Sequence, residues 1–356
     1  MRKLRVLVID DSAFSRRTIT RMLEDLEQIE VVGYAVNGEE GLHKVAVLKP
    51  DLVTLDLEMP KMDGFTFLRI LTARYSIPVI VVSALSSADK VFKALELGAL
   101  DFVAKPSNNA SNDLLLIRED LQKKVLQLVN LAPQSLKQPH WQPHETVYDD
   151  FPEAVVAPAV PAGQSPFDLV AIGTSTGGPP ALQFFFSAFE KPYPFAVVVS
   201  QHMPPGFTHA FAERLNRASG FEIKEAEDGD LVLPGRALIA AGGTNLVLEL
   251  QGGRVTARVV PSTSADRYVP SVDVMLESCA EIYRKRMIAV ILTGMGNDGA
   301  KGIRKVKERG GFVIAESDET AVVYGMPREA VATGLVDKIV PMQFVHREIL
   351  KIGAFS

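Results

Sequence analysis

Leu169-Val170-Ala171-Ile172-Gly173-Thr174-Ser175-Thr176-Gly177-Gly178 is the stretch on which the reading of this chain turns. Its first four residues form a short apolar run that reads as a buried strand. Beyond the glycines, Ala181-Leu182-Gln183-Phe184-Phe185 reads as the start of a helix. A serine on a glycine-flanked strand-to-helix turn is held out from the backbone, where its hydroxyl can meet a substrate carbonyl. Backbone N–H groups at the helix start can stabilise an oxyanion. The turn therefore points to acyl transfer or hydrolysis. The pattern alone is weak, since about one chain in ten of this length contains it by chance. It needs partners.

Working outward, residues 167–356 alternate strands and helices. Strands are predicted at 169–173, 195–200, 237–241, 287–292 and 311–315. A more β-rich stretch lies between them, with turn signals at Asp228-Gly229 and Gly252-Gly253. Residues 1–131 alternate in the same way, with strands predicted at 5–9, 31–35, 52–55, 79–82 and 102–104. Amphipathic helices such as 12–26, 39–48 and 87–97 separate them, and a last helix runs over 113–131 with Ser111 or Asn112 as its cap. Such alternation implies parallel sheets covered by helices, an α/β fold in both halves. Residues 132–166 between them are rich in proline, which denies backbone donors and fixes φ, and read as a semi-extended linker. Trp141, the only tryptophan, sits there.

The 356 residues carry a net charge of −5, with 47% apolar and 23% charged residues. That is ordinary for a soluble globular protein and gives no global pull toward nucleic acid or anionic membrane. The single cysteine, Cys279, excludes an intramolecular disulfide, fits a reducing cytoplasm and is expected to pack as a small hydrophobe. Apolar runs such as 79–82 and 196–199 are too short to span a bilayer. The basic-then-apolar start runs straight into Asp10-Asp11 and reads as a first strand, not a signal peptide.

In the first half Asp10 and Asp11 close the first strand, Asp56 the third, Ser83 the fourth and Lys105 the fifth. Strand C-terminal ends of an open parallel sheet converge on one edge, so these residues share a pocket. Each aspartate alone could merely cap a helix. Together, three carboxylates call for a hard divalent cation such as Mg²⁺, and a lysine beside them can hold an anion. The set suits phosphoryl transfer onto a carboxylate, with Ser83 bonding the product phosphoryl group.

Val8-Ile9-Asp10-Asp11-Ser12, Leu55-Asp56-Leu57-Glu58-Met59-Pro60-Lys61-Met62-Asp63-Gly64 and Asp101-Phe102-Val103-Ala104-Lys105-Pro106 resemble the response-regulator receiver family over about 125 residues. The resemblance implies a doubly wound, flavodoxin-like domain in which Asp56 accepts phosphate from a histidine kinase. Asp10 and Asp11, with Asp56, would help hold Mg²⁺. Ser83 and Phe102 would occupy the family's switch positions, with Lys105 beside them; Phe102 reads equally as an ordinary half-buried strand residue.

A serine nucleophile needs a base, and there are six histidines. His43 lies in a helix of the first half, His140 and His144 in the linker and His346 near the C-terminus. His202 follows a strand, as Ser175 does, whereas His209 falls on a helix surface. Position favours His202. The group that should orient the imidazole and stabilise its charged form is Asp298, after the strand at 287–292. Asp298 reads also as the N-cap of the helix that follows it, and it can do both. The order Ser, His, Asp differs from the α/β-hydrolase order, so the turn does not signal that fold.

Gly173-Thr174-Ser175-Thr176-Gly177-Gly178, Gln201-His202-Met203-Pro204, Leu292-Thr293-Gly294-Met295-Gly296-Asn297-Asp298-Gly299 and Tyr324-Gly325-Met326-Pro327-Arg328 resemble the catalytic domain of the chemotaxis protein-glutamate methylesterase (CheB) family. The resemblance implies hydrolysis of glutamyl γ-methyl esters, and deamidation of glutamines, on the cytoplasmic region of methyl-accepting chemoreceptors. It makes Ser175 the nucleophile, His202 the base and Asp298 the orienter, with Thr176 and the Met295 N–H supporting the oxyanion and no cofactor at that site. It also implies a cytoplasmic protein that neither inserts in the membrane nor binds nucleic acid. A charge switch joined to a hydrolase site leads us to expect that the receiver covers Ser175 until Asp56 is phosphorylated. The competing reading is a response regulator whose second domain only binds partners, its glycine turn an anion or scaffold loop. A transcriptional regulator is disfavoured by the acidic chain and the lack of a basic helix-turn-helix.

Overall fold

The computed structural model describes residues 2–84, 88–105, 117–129, 166–264 and 266–355. Pro106, Trp141, all of the linker except Pro166, and the ends of the helix expected at 113–131 lie outside them. The chain divides into two compact units, Met1–Gln138 and Pro139–Ser356.

The first unit holds β1 (Leu4–Ile9), β2 (Ile29–Ala35), β3 (Leu52–Leu55), β4 (Val79–Ala84) and β5 (Asp101–Lys105) in one parallel sheet of order 2-1-3-4-5. Helices α1 (Ala13–Glu24), α2 (Gly38–Leu48), α3 (Gly64–Arg74), α4 (Ala88–Glu96) and α5 (Arg118–Val129) alternate with the strands. Their starts are written in short polar side chains. Ser12 Oγ accepts the Ser15 N–H and Asp63 Oδ1 the Thr66 N–H. Asn37 Oδ1 accepts the Glu40 N–H while Glu40 Oε2 reaches back to accept the Val36 N–H, one residue before the cap. Parallel β3, buried on both faces, reads as a continuous run of buried residues. The order reverses between β1 and β3, which opens a crevice at their C-terminal ends.

The second unit centres on a seven-stranded sheet in which every adjacent pair is parallel. In chain order its strands are β6 (Leu169–Thr174), β7 (Ala196–Gln201), β8 (Glu222–Glu225), β9 (Arg236–Ile239), β12 (Met287–Ile291), β13 (Phe312–Glu316) and β14 (Lys338–Val340). They lie in the order 14-13-12-6-7-9-8. The antiparallel hairpin β10 (Thr244–Gln251) and β11 (Arg254–Pro261) turns at Gly252-Gly253, as its sequence predicts. Asp228-Gly229 also turns, but it joins no hairpin: the chain there leads from parallel β8 to an isolated bridge at Leu231. The helices are α6 (Gly178–Ser187), α7 (Thr208–Arg217), α8 (Val272–Tyr283), α9 (Gly302–Glu308), α10 (Met326–Ala332) and α11 (Met342–Gly353). His209 sits on the α7 surface, 70% exposed, as expected.

All six residues of β6 are buried. A side chain such as Ile172 contributes about 1.5–3 kcal/mol there. Phe185, Phe189, Phe195 and Phe221 pack with ring centroids 5.1–5.4 Å apart, and this buried cluster fastens α6 to the sheet. On the other side Met275, Leu276 and Cys279 of α8 pack with Leu246, Leu248 and Ala257 of the hairpin. Burial pushes the Cys279 thiol up to about 12, so it is a packed hydrophobe with no thiolate chemistry. No helix among the described residues is long and apolar enough to cross a membrane.

Candidate active site

The chain leaves β6 to one side of the sheet through β7 and returns on the other through β12, so β6 lies at the point where the winding reverses. Ligands bind in the crevice at such a point. Strand register then decides which residues meet. Thr174 of β6 pairs with Gln201 of β7, and Ile291 of β12 pairs with Gly173. The ladder continues one step past the strands: the His202 N–H donates to Thr174 O at 3.2 Å and the Ser175 N–H donates to Thr293 O at 3.1 Å. Ser175 is thus flanked by His202 on one side and Thr293 on the other. Gly177 enables the tight exit into α6 by adopting φ +78°, which side chains disfavour. Gly294 is required by close approach, since a Cβ there would lie 2.9 Å from Ser175 Cβ and would collide with Met326 Sδ.

His202 Nε2 lies 2.8 Å from Asp298 Oδ2. A carboxylate only accepts, so Nε2 carries the hydrogen and Nδ1 holds the lone pair a base needs. No hydrogen bond joins Ser175 Oγ to His202; such bonds commonly close only once substrate is bound. Asp298 is buried and well supplied with donors. Oδ2 accepts the Val272 N–H at 2.7 Å, and Oδ1 accepts the Asp273 N–H at 2.9 Å, the Gly299 N–H at 3.1 Å and the Ser271 hydroxyl at 3.3 Å. Burial alone would raise this carboxyl. The His202 bond and charge and the amides of Val272 and Asp273 outweigh burial and hold it below the usual carboxylate range.

The expected capping role therefore needs correction. Asp298 caps α8, which precedes it in the chain, and its anion sits at the positive end of that helix. The helix that follows, α9, is served by Asp273, whose Oδ1 accepts the N–H groups of Gly299, Lys301 and Gly302 at 2.9, 3.1 and 2.6 Å. Burial, with the Asp298 charge adding to it, raises the Asp273 carboxyl to about 6. Each aspartate thus fastens the segment that carries the other.

Three further residues complete the site, and sequence reasoning passed over them. Gln201 Nε2 donates to both Ser175 O and His202 O, each at 3.0 Å, tying the backbones of the two residues together. Thr293 O accepts from Ser175 N and from Thr174 Oγ1, while Thr293 Oγ1 donates to Thr176 O at 2.9 Å. Tyr268 stacks on the imidazole, with ring centroids 5.1 Å apart and planes 8° from parallel, and its hydroxyl donates to Asn297 Oδ1 at 3.2 Å. The one sequence signal for Gln201 was a polar residue ending an apolar strand beside a histidine. Tyr268→Phe keeps the stack and is expected to hold kcat within about threefold. Tyr268→Leu removes it and should cost about tenfold, the worth of one aromatic pair, read as initial rates of ester hydrolysis. Thr176 is buried in the turn, and the Met295 N–H has no acceptor among the described residues, so it is available to an oxyanion.

In the first unit the expected residues also converge. Oxygen atoms of Asp10, Asp11 and Asp56 lie within 4.8 Å of one another. Lys105 Nζ lies 2.7 Å from Asp10 Oδ2 and 3.1 Å from Asp56 Oδ2. Burial, with Asp10 adding to it, raises the Asp56 carboxyl against the pull of Lys105. Burial opposes the Lys105 charge, but Asp10 and Asp56 outweigh it and hold the ammonium above the ordinary lysine value. Three hard oxygen donors so close fit Mg²⁺. Ser83 is buried at the end of β4, in register with Ala104. Phe102 is 3% exposed, not half-buried, and Lys124 Nζ lies 5.1 Å from its ring centroid.

Comparison with known proteins agrees with this division. Residues 170–349 match the family profile described as CheB methylesterase, and residues 6–115 match that of the response regulator receiver domain. A protein-glutamate methylesterase/protein-glutamine glutaminase of Geobacter sulfurreducens is 54% identical over 99% of this chain and 98% of its own length. Another of the same name from Myxococcus xanthus is 47% identical over 95% of this chain and 93% of its own. Among solved structures, the Thermotoga maritima CheB methylesterase catalytic domain superposes with a TM-score of 0.51 at 45% identity, covering 52% of this chain and 98% of that one.

Proposed function

Because the chain belongs to the CheB methylesterase family and carries a response-regulator receiver domain ahead of the catalytic domain, we propose a division of labour in which Ser175 does the chemistry and Asp56 controls it. The protein is a phosphorylation-regulated carboxylic ester hydrolase. It demethylates glutamate γ-methyl esters, and deamidates glutamines, on chemoreceptors during chemotactic adaptation. The observation that carries the assignment of roles is the His202–Asp298 pair held one register step from Ser175.

Ser175 Oγ attacks the γ-carbonyl carbon while His202 Nδ1 takes its proton. The imidazolium is stabilised by the Asp298 anion through Nε2–H, and the stacked Tyr268 ring keeps its plane. The Met295 N–H and the turn at Thr176 serve the oxyanion. Collapse expels methanol, or ammonia from glutamine, which takes the proton from Nδ1. Water then attacks the acyl-enzyme with His202 again as base, regenerating Ser175 and leaving glutamate. No cofactor enters these steps.

In the receiver, Asp10, Asp11 and Asp56 would hold Mg²⁺, which when bound neutralises the charge of the transferring phosphoryl group. Asp56 Oδ forms the new bond to phosphorus as the kinase phosphohistidine bond breaks. Phosphorylation replaces the single charge of the Asp56 carboxylate by a phosphoryl group of about −1.5 to −2 beside Lys105, with Ser83 and Phe102 as the responding positions. A chemotaxis histidine kinase is the donor and the cytoplasmic region of methyl-accepting receptors the substrate, so the protein acts in the cytoplasm. Methanol release from methylated receptor membranes tests this, with and without a small-molecule phosphodonor and Mg²⁺. Asp56→Asn should keep the unstimulated rate and lose the stimulation. Stimulation that survives Asp56→Asn would place the control elsewhere.

A further inference from the structure

Glu316 ends β13 at the same sheet edge as the catalytic residues, and it is 1% exposed. Among the described residues no cation pairs with it. Lys305 and Lys307 of α9 pair with Glu281 and Asp337, Arg328 of α10 with Glu329, and Lys338 of β14 with Glu348 of α11. On α11, His346 packs against Phe189 and Arg347 lies over Phe344. Asp318 and Glu319, next in the chain, are exposed. A buried carboxylate without a counter-charge is costly, so its retention calls for an account.

Its two oxygens answer part of the question. Oε2 accepts the Thr293 N–H at 2.7 Å and Oε1 accepts the Thr320 hydroxyl at 3.0 Å. The Thr320 hydroxyl also accepts the Met342 N–H at 2.9 Å, which leaves its own hydrogen to donate to Oε1. An ionised carboxylate accepts both bonds at once. Thr293 in turn bonds Thr174, Ser175 and Thr176, three successive residues of the nucleophile turn, and its Oγ1 accepts the Val323 N–H at 3.0 Å. The Thr293 N–H and C=O belong to successive peptide units joined at its Cα, so a displacement of this residue would move all of these partners together.

We propose that Glu316 is a positioning residue for the hydrolase reaction, acting through the backbone of Thr293 to hold Ser175 in its attacking geometry. The proposal rests on Ser175 being the nucleophile. Burial, against its two hydrogen bonds, raises the Glu316 carboxyl to about 7, so the acceptor strength at Thr293 changes across neutral pH. The charged acceptor makes the stronger bond. The stability effect runs the opposite way. A carboxyl raised above its unfolded value favours the fold when protonated, and that contribution is lost as pH rises through about 7. Glu316→Gln removes the charge and keeps the shape. It should therefore raise the thermal midpoint at pH 8.5 and leave it unchanged at pH 4.5.

The test is the rate at which a fluorophosphonate probe labels Ser175 in the full-length protein, followed by mass spectrometry. Wild type and Glu316→Gln should label equally at pH 5.5, and wild type about fivefold faster at pH 8.5. The contribution of His202 is common to both and cancels in the ratio. Glu316→Leu should label about tenfold slower at either pH. A purely structural carboxylate would leave Glu316→Gln more stable at pH 8.5 and equally reactive. A wild-type to Glu316→Gln ratio that is flat over this range overturns the proposal, without needing the leucine variant to fold. Absence of labelling in wild type would instead overturn the nucleophile assignment, and this proposal with it.

Discussion

Ser175→Ala is expected to lower both methyl ester hydrolysis and deamidation by about 10⁴-fold or more, while the fold stays intact. The variant deletes the one atom that attacks the acyl carbon, and no thiol is placed to replace it. Cys279, the single thiol, is buried with its pKa pushed up to about 12. Ser175 Oγ itself makes no hydrogen bond within the described residues, so its loss should move the thermal midpoint by no more than about a degree. Receptor binding should also survive, which makes the effect one on kcat. Because nucleophile and base act as a unit, adding His202→Ala to Ser175→Ala should cost little more. Methanol release and fluorophosphonate labelling measure it together. Turnover within tenfold of wild type would return the second domain to the reading of a partner-binding effector with a scaffold turn.

The second large effect is on Asp298→Asn, with a loss of up to about 10⁴-fold in kcat. An asparagine facing His202 can present its amide N–H₂, which demands a lone pair at Nε2 and moves the hydrogen to Nδ1. The base is then blocked on the side that must receive the proton. A neutral partner also fails to stabilise the imidazolium. Unlike Ser175→Ala, this substitution should destabilise the fold. Both carboxylate oxygens accept backbone N–H groups of α8, Val272 on Oδ2 and Asp273 on Oδ1, and asparagine has one acceptor oxygen where two are used. One unpaired buried N–H costs about 1–3 kcal/mol. The sign with pH follows from the lowered carboxyl: the stability it contributes is present above the ordinary aspartate value and lost as pH falls through its lower folded value. The gap in thermal midpoint between wild type and Asp298→Asn should thus narrow in acid. A rate loss of tenfold or less in a folded Asp298→Asn protein would leave only the capping role.

Both of these residues are legible in the sequence, whereas several that support them are not. Ser175, His202 and Asp298 could be singled out because each has a reactive side chain just past an apolar run, and the C-terminal ends of parallel strands share an edge whatever the strand order. Asp10, Asp11, Asp56 and Lys105 were legible for the same reason. Thr293, Gln201 and Tyr268 were not. Gln201 and Thr293 work by hydrogen bonds to the backbone of neighbouring strands and Tyr268 by its ring face, and neither leaves a pattern in residue type. Glu316 was hidden differently: one acidic residue at the end of an apolar strand reads as a solvent-facing stop, and only the neighbouring strands bury it.

The sequence by itself determined that the chain is two α/β units, where ten of the fourteen strands lie to within one or two residues, and which polar side chains stand at the strand ends. Those are local properties, set by apolar period, glycine and capping residues within a few positions of one another. The tertiary structure alone decided that β6 sits between β7 and β12, so that Ser175 lies between His202 and Thr293. It alone decided that Asp298 caps the earlier helix α8 instead of the one that follows it. It also turned His202 so that Nε2 meets the carboxylate, and set Glu316 behind Thr293. Register, crossover direction and the docking of a helix end join residues from about 20 to 120 positions apart. Their energies come from packing and hydrogen bonds that exist only once the sheet is assembled, so no window of sequence contains them.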